Sequence, residues 1–161
     1  MLEWGRLGRR LLRLLSRGGL TVLGLDKETH PRYKVCGGGL SARIDHVLDP
    51  GFHSVVEQSV NGVQFVYRGQ DPLLIESARP IAYMVMRDRF DHYLVQEAIQ
   101  AGTHIRTGYG VVELMQDPYG VEVVTGQGRY RAKIAIGADG ANSVVATAVF
   151  PTEISVSGSR T

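Results

Sequence analysis

Cysteine is nearly absent from this sequence. Cys36 is the only one in 161 residues, which excludes an internal disulfide framework. The five histidines are scattered, so no zinc-ligand spacing emerges and no metal site is expected. No apolar run approaches the ~18 residues of a membrane-spanning helix. A broad basic field is missing as well. The formal charge is +2, but Arg6, Arg9, Arg10, Arg13 and Arg17 crowd the N-terminal end against Glu3, leaving the remainder net negative. That distribution argues against a nucleic-acid partner. The expectation is a cytoplasmic chain, with association at a membrane surface left open.

What is present suits a folded domain: 43% apolar residues, 21% charged, and 20 glycines that imply tight turns or close backbone approaches. Along "RLGRRLLRLLSRG", Leu7, Leu11, Leu14 and Leu15 fall on one face and arginines on the other, predicting an amphipathic helix over 6–18 that ends at a glycine pair. "LTVLGLD" is a short apolar run closing on Asp26, the mark of a buried parallel strand at 20–25. "SARIDHVLDPG" predicts a short helix stopped by Asp-Pro-Gly. Residues 60–86 and 109–131 have β patterning. Between them lies a helix at 88–101, with Phe90, Leu94, Ala98 and Ile99 as its apolar stripe and Gly102 as its stop. A last apolar strand is expected at 133–137. Two apolar strands that each end in an acid form the pattern of a nucleotide-binding α/β layer, with antiparallel strands inserted beside it.

Three stretches have the residue types for chemistry. Asp26 ends a strand that follows a helix; in dinucleotide-binding βαβ units such an acid lies about 20 residues after the glycine fingerprint and hydrogen-bonds the ribose. The plainer reading is a cap or turn residue. Counting back from Asp26 brings the fingerprint to Glu3, Gly5 and Gly8, so one glycine of three is missing. In "IAIGADGANSVV" a strand ends in Gly-Ala-Asp-Gly, where amides at a helix start suit phosphate and Gly140 admits a ligand. An Asp139 cap on an ordinary strand-to-helix turn explains the same letters. The third stretch, "PRYKVCGGGLS", holds three consecutive glycines beside Cys36, Lys34 and Arg32. A loop so bare of side chains suits the approach of something large and flat.

"LDKETHPRYKVCGGGLS", "MVMRDRFDHYLVQEAIQAG" and "IGADGANSVVA" occur in an order and spacing that resembles the geranylgeranyl reductase family. These are FAD-dependent oxidoreductases of the p-hydroxybenzoate hydroxylase-like class. The resemblance covers roughly residues 14–150, and Lys-x-Cys-Gly-Gly is its most specific piece. It implies an α/β fold, a partial Rossmann-like FAD-binding domain whose first strand is missing, with an inserted antiparallel β layer. Residues 1–161 would form one incomplete domain. In it, 1–19 is a remnant of the fingerprint helix, and 52–86 and 109–131 are mainly β insertions.

The resemblance also implies site roles. Gly37 and Gly38 would lie close to the flavin, with Cys36 beside flavin or substrate. Asp26 would bind ribose, while Asp139 and Gly140 match the middle flavin motif. Arg87 matches an arginine near the cofactor, where a guanidinium pairs with phosphate. Lys34 and Arg32 fit phosphate contact and solvated surface equally well. The implied reaction is reduction of isoprenoid carbon–carbon double bonds in a prenylated small molecule or lipid, with NAD(P)H reducing FAD.

Two departures qualify the resemblance. The family opens with a strand entering Gly-x-Gly-x-x-Gly, whereas Met1 sits inside that motif here; the family also continues past "GADGANSVV" with a further flavin motif. Read one base forward, the first codons are compatible with a Gly-Ala-Gly-x-Ala-Gly text, so a frameshift is one reading of the N-terminus. An arginine-rich membrane-surface helix is another. Two rival functions stand beside the reductase: an FAD-dependent monooxygenase or halogenase, and a non-functional gene fragment. On the fragment reading, residues 1–161 alone are inactive.

Overall fold

The computed structural model describes residues 6–69, 71–140 and 143–149, with side chains from residue 8 onward. Gly5 lies outside the described residues. In chain order the elements are α1 (Arg6–Arg17), β1 (Leu23–Asp26), β2 (Gly39–Ser41), two 3-10 turns (Ala42–His46 and Pro50–Val55), β3 (Val56–Val60), β4 (Gly62–Phe65), β5 (Leu73–Glu76) and β6 (Ala82–Val85). They are followed by α2 (Arg87–Gln100), β7 (His104–Thr107), β8 (Val111–Asp117), β9 (Gly120–Thr125), β10 (Gly128–Ala132) and α3 (Val144–Val149). This is a mixed α/β chain. It divides into two compact units, Met1–Thr29 with Ala98–Thr161, and His30–Glu97.

In the first unit, α1 closes on a Schellman motif. The Leu20 N–H reaches the Leu15 carbonyl at 3.2 Å, the Gly19 N–H reaches that of Ser16 at 3.0 Å, and Gly19 has φ +81°. β1 pairs in parallel with β7, Leu23 opposite His104 and Asp26 opposite Thr107. β8, β9 and β10 form an antiparallel meander. Leu25, Val111 and Val123 are the buried centre, with Leu12, Ala135, Val144 and Val145 packed against them.

The helical and strand expectations at 6–18 and 20–25 hold within a few residues, but the faces of α1 differ. Leu14 is half-exposed, whereas Arg9, expected on the polar side, is fully buried. The apolar run expected as a strand at 133–137 is not one. Residues 134–140 are irregular, and Ile134 and Ile136 are exposed. A parallel strand exists only through its neighbours, and among the described residues none pairs with this run.

The second unit is built on β6, which pairs antiparallel with β2 on one side and β3 on the other. Strand alternation turns Tyr83 and Val85 inward. There they meet Leu40, Phe52, Phe90 and Leu94. The apolar stripe of α2 is Phe90, Leu94, Val95 and Ala98, while the expected member Ile99 is largely exposed. At 3.6 residues per turn Ile99 lies opposite Phe90. The short helix expected ahead of Asp-Pro-Gly is a 3-10 turn that ends at His46, and Pro50 and Gly51 open a second one, because proline is pre-set for a helical start.

Candidate functional site

β1 delivers Asp26 into the interior of the first unit. Its Oδ1 accepts the Glu28 N–H at 3.0 Å, and its Oδ2 lies 3.7 Å from Nη2 of Arg9, both side chains being buried. A buried carboxylate needs such a partner, and the partner comes from α1. The sequence reading missed Arg9, although a strand-ending acid expected to be buried already called for a nearby cation. Gly8, the adjacent fingerprint position, is buried in the same helix.

Asp139 is buried too, and the helix start consumes its carboxylate. Oδ1 accepts the Ser143 hydroxyl at 2.6 Å; Oδ2 accepts the Val144 N–H at 2.7 Å and the Val145 N–H at 3.4 Å. The structure thus draws Asp139 as a cap on α3, with the two amides suited to phosphate turned onto it. Gly140 has φ +78°, and a Cβ there would meet nothing within 4 Å.

In the second unit the glycine turn is fixed against β6. The Val85 N–H donates to the Gly38 carbonyl at 3.0 Å, and Gly38 has φ +72° with its missing Cβ aimed at the Val85 carbonyl oxygen. Only glycine fits there. Its neighbour Gly37 faces open space. Cys36 is exposed, and its Sγ accepts the Gly38 N–H at 3.5 Å. Lys34 and Arg32 are half-buried.

Arg87 opens α2 beneath this turn. Nε donates to Oδ1 of Asp91 at 3.1 Å and Nη2 to Oδ2 at 2.9 Å, a fork with both side chains buried. Burial opposes the charge on Arg87, yet its hydrogen bonds, those to Asp91 first, outweigh it and hold Arg87 above its ordinary value. Asp91 was missed in the sequence, though its i,i+4 spacing from Arg87 was visible. A second polar cluster joins Asp45, which accepts the Tyr83 hydroxyl at 2.7 Å and lies 3.2 Å from Nε2 of His53.

Known proteins resemble this chain at the level of family and fold. The FAD binding domain family matches residues 7–160. An uncharacterized protein of Methanosarcina barkeri (strain Fusaro) is 30% identical over 132 residues, covering 82% of this chain and 34% of that protein. Protein FixC of Escherichia coli (strain K12) is 30% identical over 162 residues, 89% of this chain and 38% of FixC. The crystal structure of a geranylgeranyl bacteriochlorophyll reductase-like protein from Thermoplasma acidophilum superposes with a TM-score of 0.65 at 20% identity, over 77% of this chain and 34% of that one. The last is a likeness of fold.

The chain belongs to the FAD binding domain family, within the FAD-dependent oxidoreductase superfamily. It spans about a third of the length of the curated relatives it matches. Among the described residues no helix is long and apolar enough to cross a membrane. Each unit has features that suit FAD: in the first a buried acid ends β1 and backbone at Gly140 is open to close approach, and in the second backbone at Gly37 is open.

Proposed function

We propose that the whole protein reduces isoprenoid carbon–carbon double bonds, of the geranylgeranyl type, with FAD as cofactor and NAD(P)H as reductant, and that residues 1–161 contribute part of its FAD-binding domain. The observation that supports this reading most is the Cys36–Gly38 turn. Gly38 is locked to the β6 backbone while Gly37 is left bare, so the turn is both rigid and approachable. The Thermoplasma protein, which is described as geranylgeranyl bacteriochlorophyll reductase-like, shares the fold.

In this reading Asp26 accepts from the ribose through a lone pair beyond those used toward Glu28 and Arg9. Gly37 and Gly38 admit the ring system, and Arg87 and Lys34 supply positive charge near the cofactor. Gly5 and Gly8 belong to the phosphate turn, and Gly140 leaves backbone room near Asp139. Cys36 lies at the flavin or substrate side. FAD, when bound, supplies the hydride chemistry. The substrate is a prenylated small molecule or lipid, which the protein meets in the cytoplasm or at a membrane surface.

The test is anaerobic turnover of the whole protein with NADPH or NADH and a geranylgeranyl lipid, followed by mass spectrometry. A gain of two hydrogens per reduced double bond is expected. An oxygenated or halogenated product from an aromatic substrate, with the prenyl chain untouched, would replace this reading by a monooxygenase or halogenase.

A further inference from the structure

The first unit contains a groove that the function above does not use. Its volume is about 430 Å³, and it is lined by Leu23 of β1, His104, Ile105 and Arg106 of β7, and Tyr130 of β10. That size lies within the range of small-molecule sites. The lining divides by chemistry. Leu23, Ile105 and Tyr130 supply an apolar and aromatic part. Strand alternation puts His104 and Arg106 on one face of β7, roughly 7 Å apart, and both residues are exposed. β10 has two further arginines, but each is neutralised. Nη1 of Arg129 donates to Glu122 at 3.1 Å, and Nη2 of Arg131 donates to both carboxylate oxygens of Asp117 at 2.6 Å. Among the described residues no carboxylate pairs with Arg106. Uncompensated positive charge therefore stands beside an aromatic ring, which Tyr109 holds edge-to-face with ring centroids 6.3 Å apart.

We propose that this groove binds a nucleoside phosphate, with the base against Tyr130 and the phosphate between Arg106 and His104. A guanidinium pairs with phosphate through two parallel N–H donors, which gives direction as well as charge. The ring of Tyr130 offers a flat apolar surface to a base, and Leu23 and Ile105 extend that surface. Inorganic phosphate would leave the apolar part of the groove unused, and a nucleoside without phosphate would leave its cations unused. A ligand with both parts matches the whole lining. None of the residues assigned to the flavin lines this groove, so the proposal does not depend on the reductase reading.

The experiment is calorimetric titration of ADP into the whole protein with FAD bound, so that the flavin residues are already occupied. Uptake of ADP is expected, with adenosine and inorganic pyrophosphate each binding at least about tenfold more weakly. Arg106→Ala should weaken ADP at least about tenfold, the loss of a charge-assisted contact. Its FAD content and melting temperature should stay at the wild-type values, because Arg106 is exposed. No uptake at about 1 mM ADP overturns the proposal. Unchanged ADP affinity in Arg106→Ala also overturns it, since ADP then sits elsewhere. Pyrophosphate binding as tightly as ADP reduces the groove to an anion patch and overturns the nucleotide assignment. Should the whole protein hold no FAD, the Arg106→Ala comparison still reads the groove, because ADP in an empty flavin site does not depend on Arg106.

Discussion

Two adjacent glycines separate the demands of backbone and ligand at the level of single residues. Gly38 combines a positive φ with a Cβ direction that ends on the Val85 carbonyl oxygen, whereas a Cβ on Gly37 meets nothing within 4 Å. Gly38→Ala should therefore cost on the order of 1–3 kcal/mol, read as a lower urea midpoint. Gly37→Ala should stay within about 0.5 kcal/mol. Equal losses in the two variants would mean that the turn is not anchored as described.

Tyr83 gives a pH-dependent test. The Asp45 carboxylate that accepts its proton raises the Tyr83 pKa, burial adds to this, and the negative charge of Asp45 adds again. The folded protein thus holds the phenol proton more tightly than the unfolded chain does. The resulting stability is complete below the ordinary tyrosine value of about 10 and is lost as pH rises through the folded value. Thermal melts between neutral and strongly alkaline pH should show part of the alkaline loss disappearing in Tyr83→Phe. An unchanged profile would remove Asp45 as the cause.

Among the elements, α2 shows what a sequence reveals and what it conceals. Its ends and the inward positions Phe90, Leu94 and Ala98 follow from local letters, because helical periodicity is a local property. The choice between Val95, which is buried, and Ile99, which is exposed, is not local; it depends on what the rest of the fold packs against the helix. Phe90→Ala should cost about 3–5 kcal/mol, while Ile99→Ala, at an exposed position, should cost less than about 0.5 kcal/mol. Chemical denaturation measures both, and similar costs would contradict the assigned face.

The same distinction explains the other elements. The acid at the end of β1 was legible, since a buried strand closing on Asp needs only a short window. Its partner Arg9 was concealed by a helix whose leucines suggested a different buried side. The run from Ile134 to Ile136 has strand-like letters without strand structure, for pairing is decided by neighbours distant in sequence. β4 and β5 form a two-stranded ribbon whose Phe65, Leu73, Leu74 and Ile75 are all exposed. A ribbon of that kind is marginal by itself in water.

For the whole molecule, the relevant proportion is the third of its relatives' length that this chain spans. β1 has β7 as its only partner strand among the described residues, and a parallel pair flanked by exposed apolar side chains is a weak platform for a cofactor. Each phosphate or ribose contact that is lost costs on the order of 1–3 kcal/mol where its partner stays unpaired. Residues 1–161 by themselves are therefore expected neither to retain FAD nor to turn over.

The most direct test of a flavin-binding role is the absorbance spectrum of the purified whole protein, before and after anaerobic NAD(P)H. The expected result is a yellow protein with FAD near one per chain, bleached by the reductant. A colourless protein that takes up no FAD on reconstitution would contradict it.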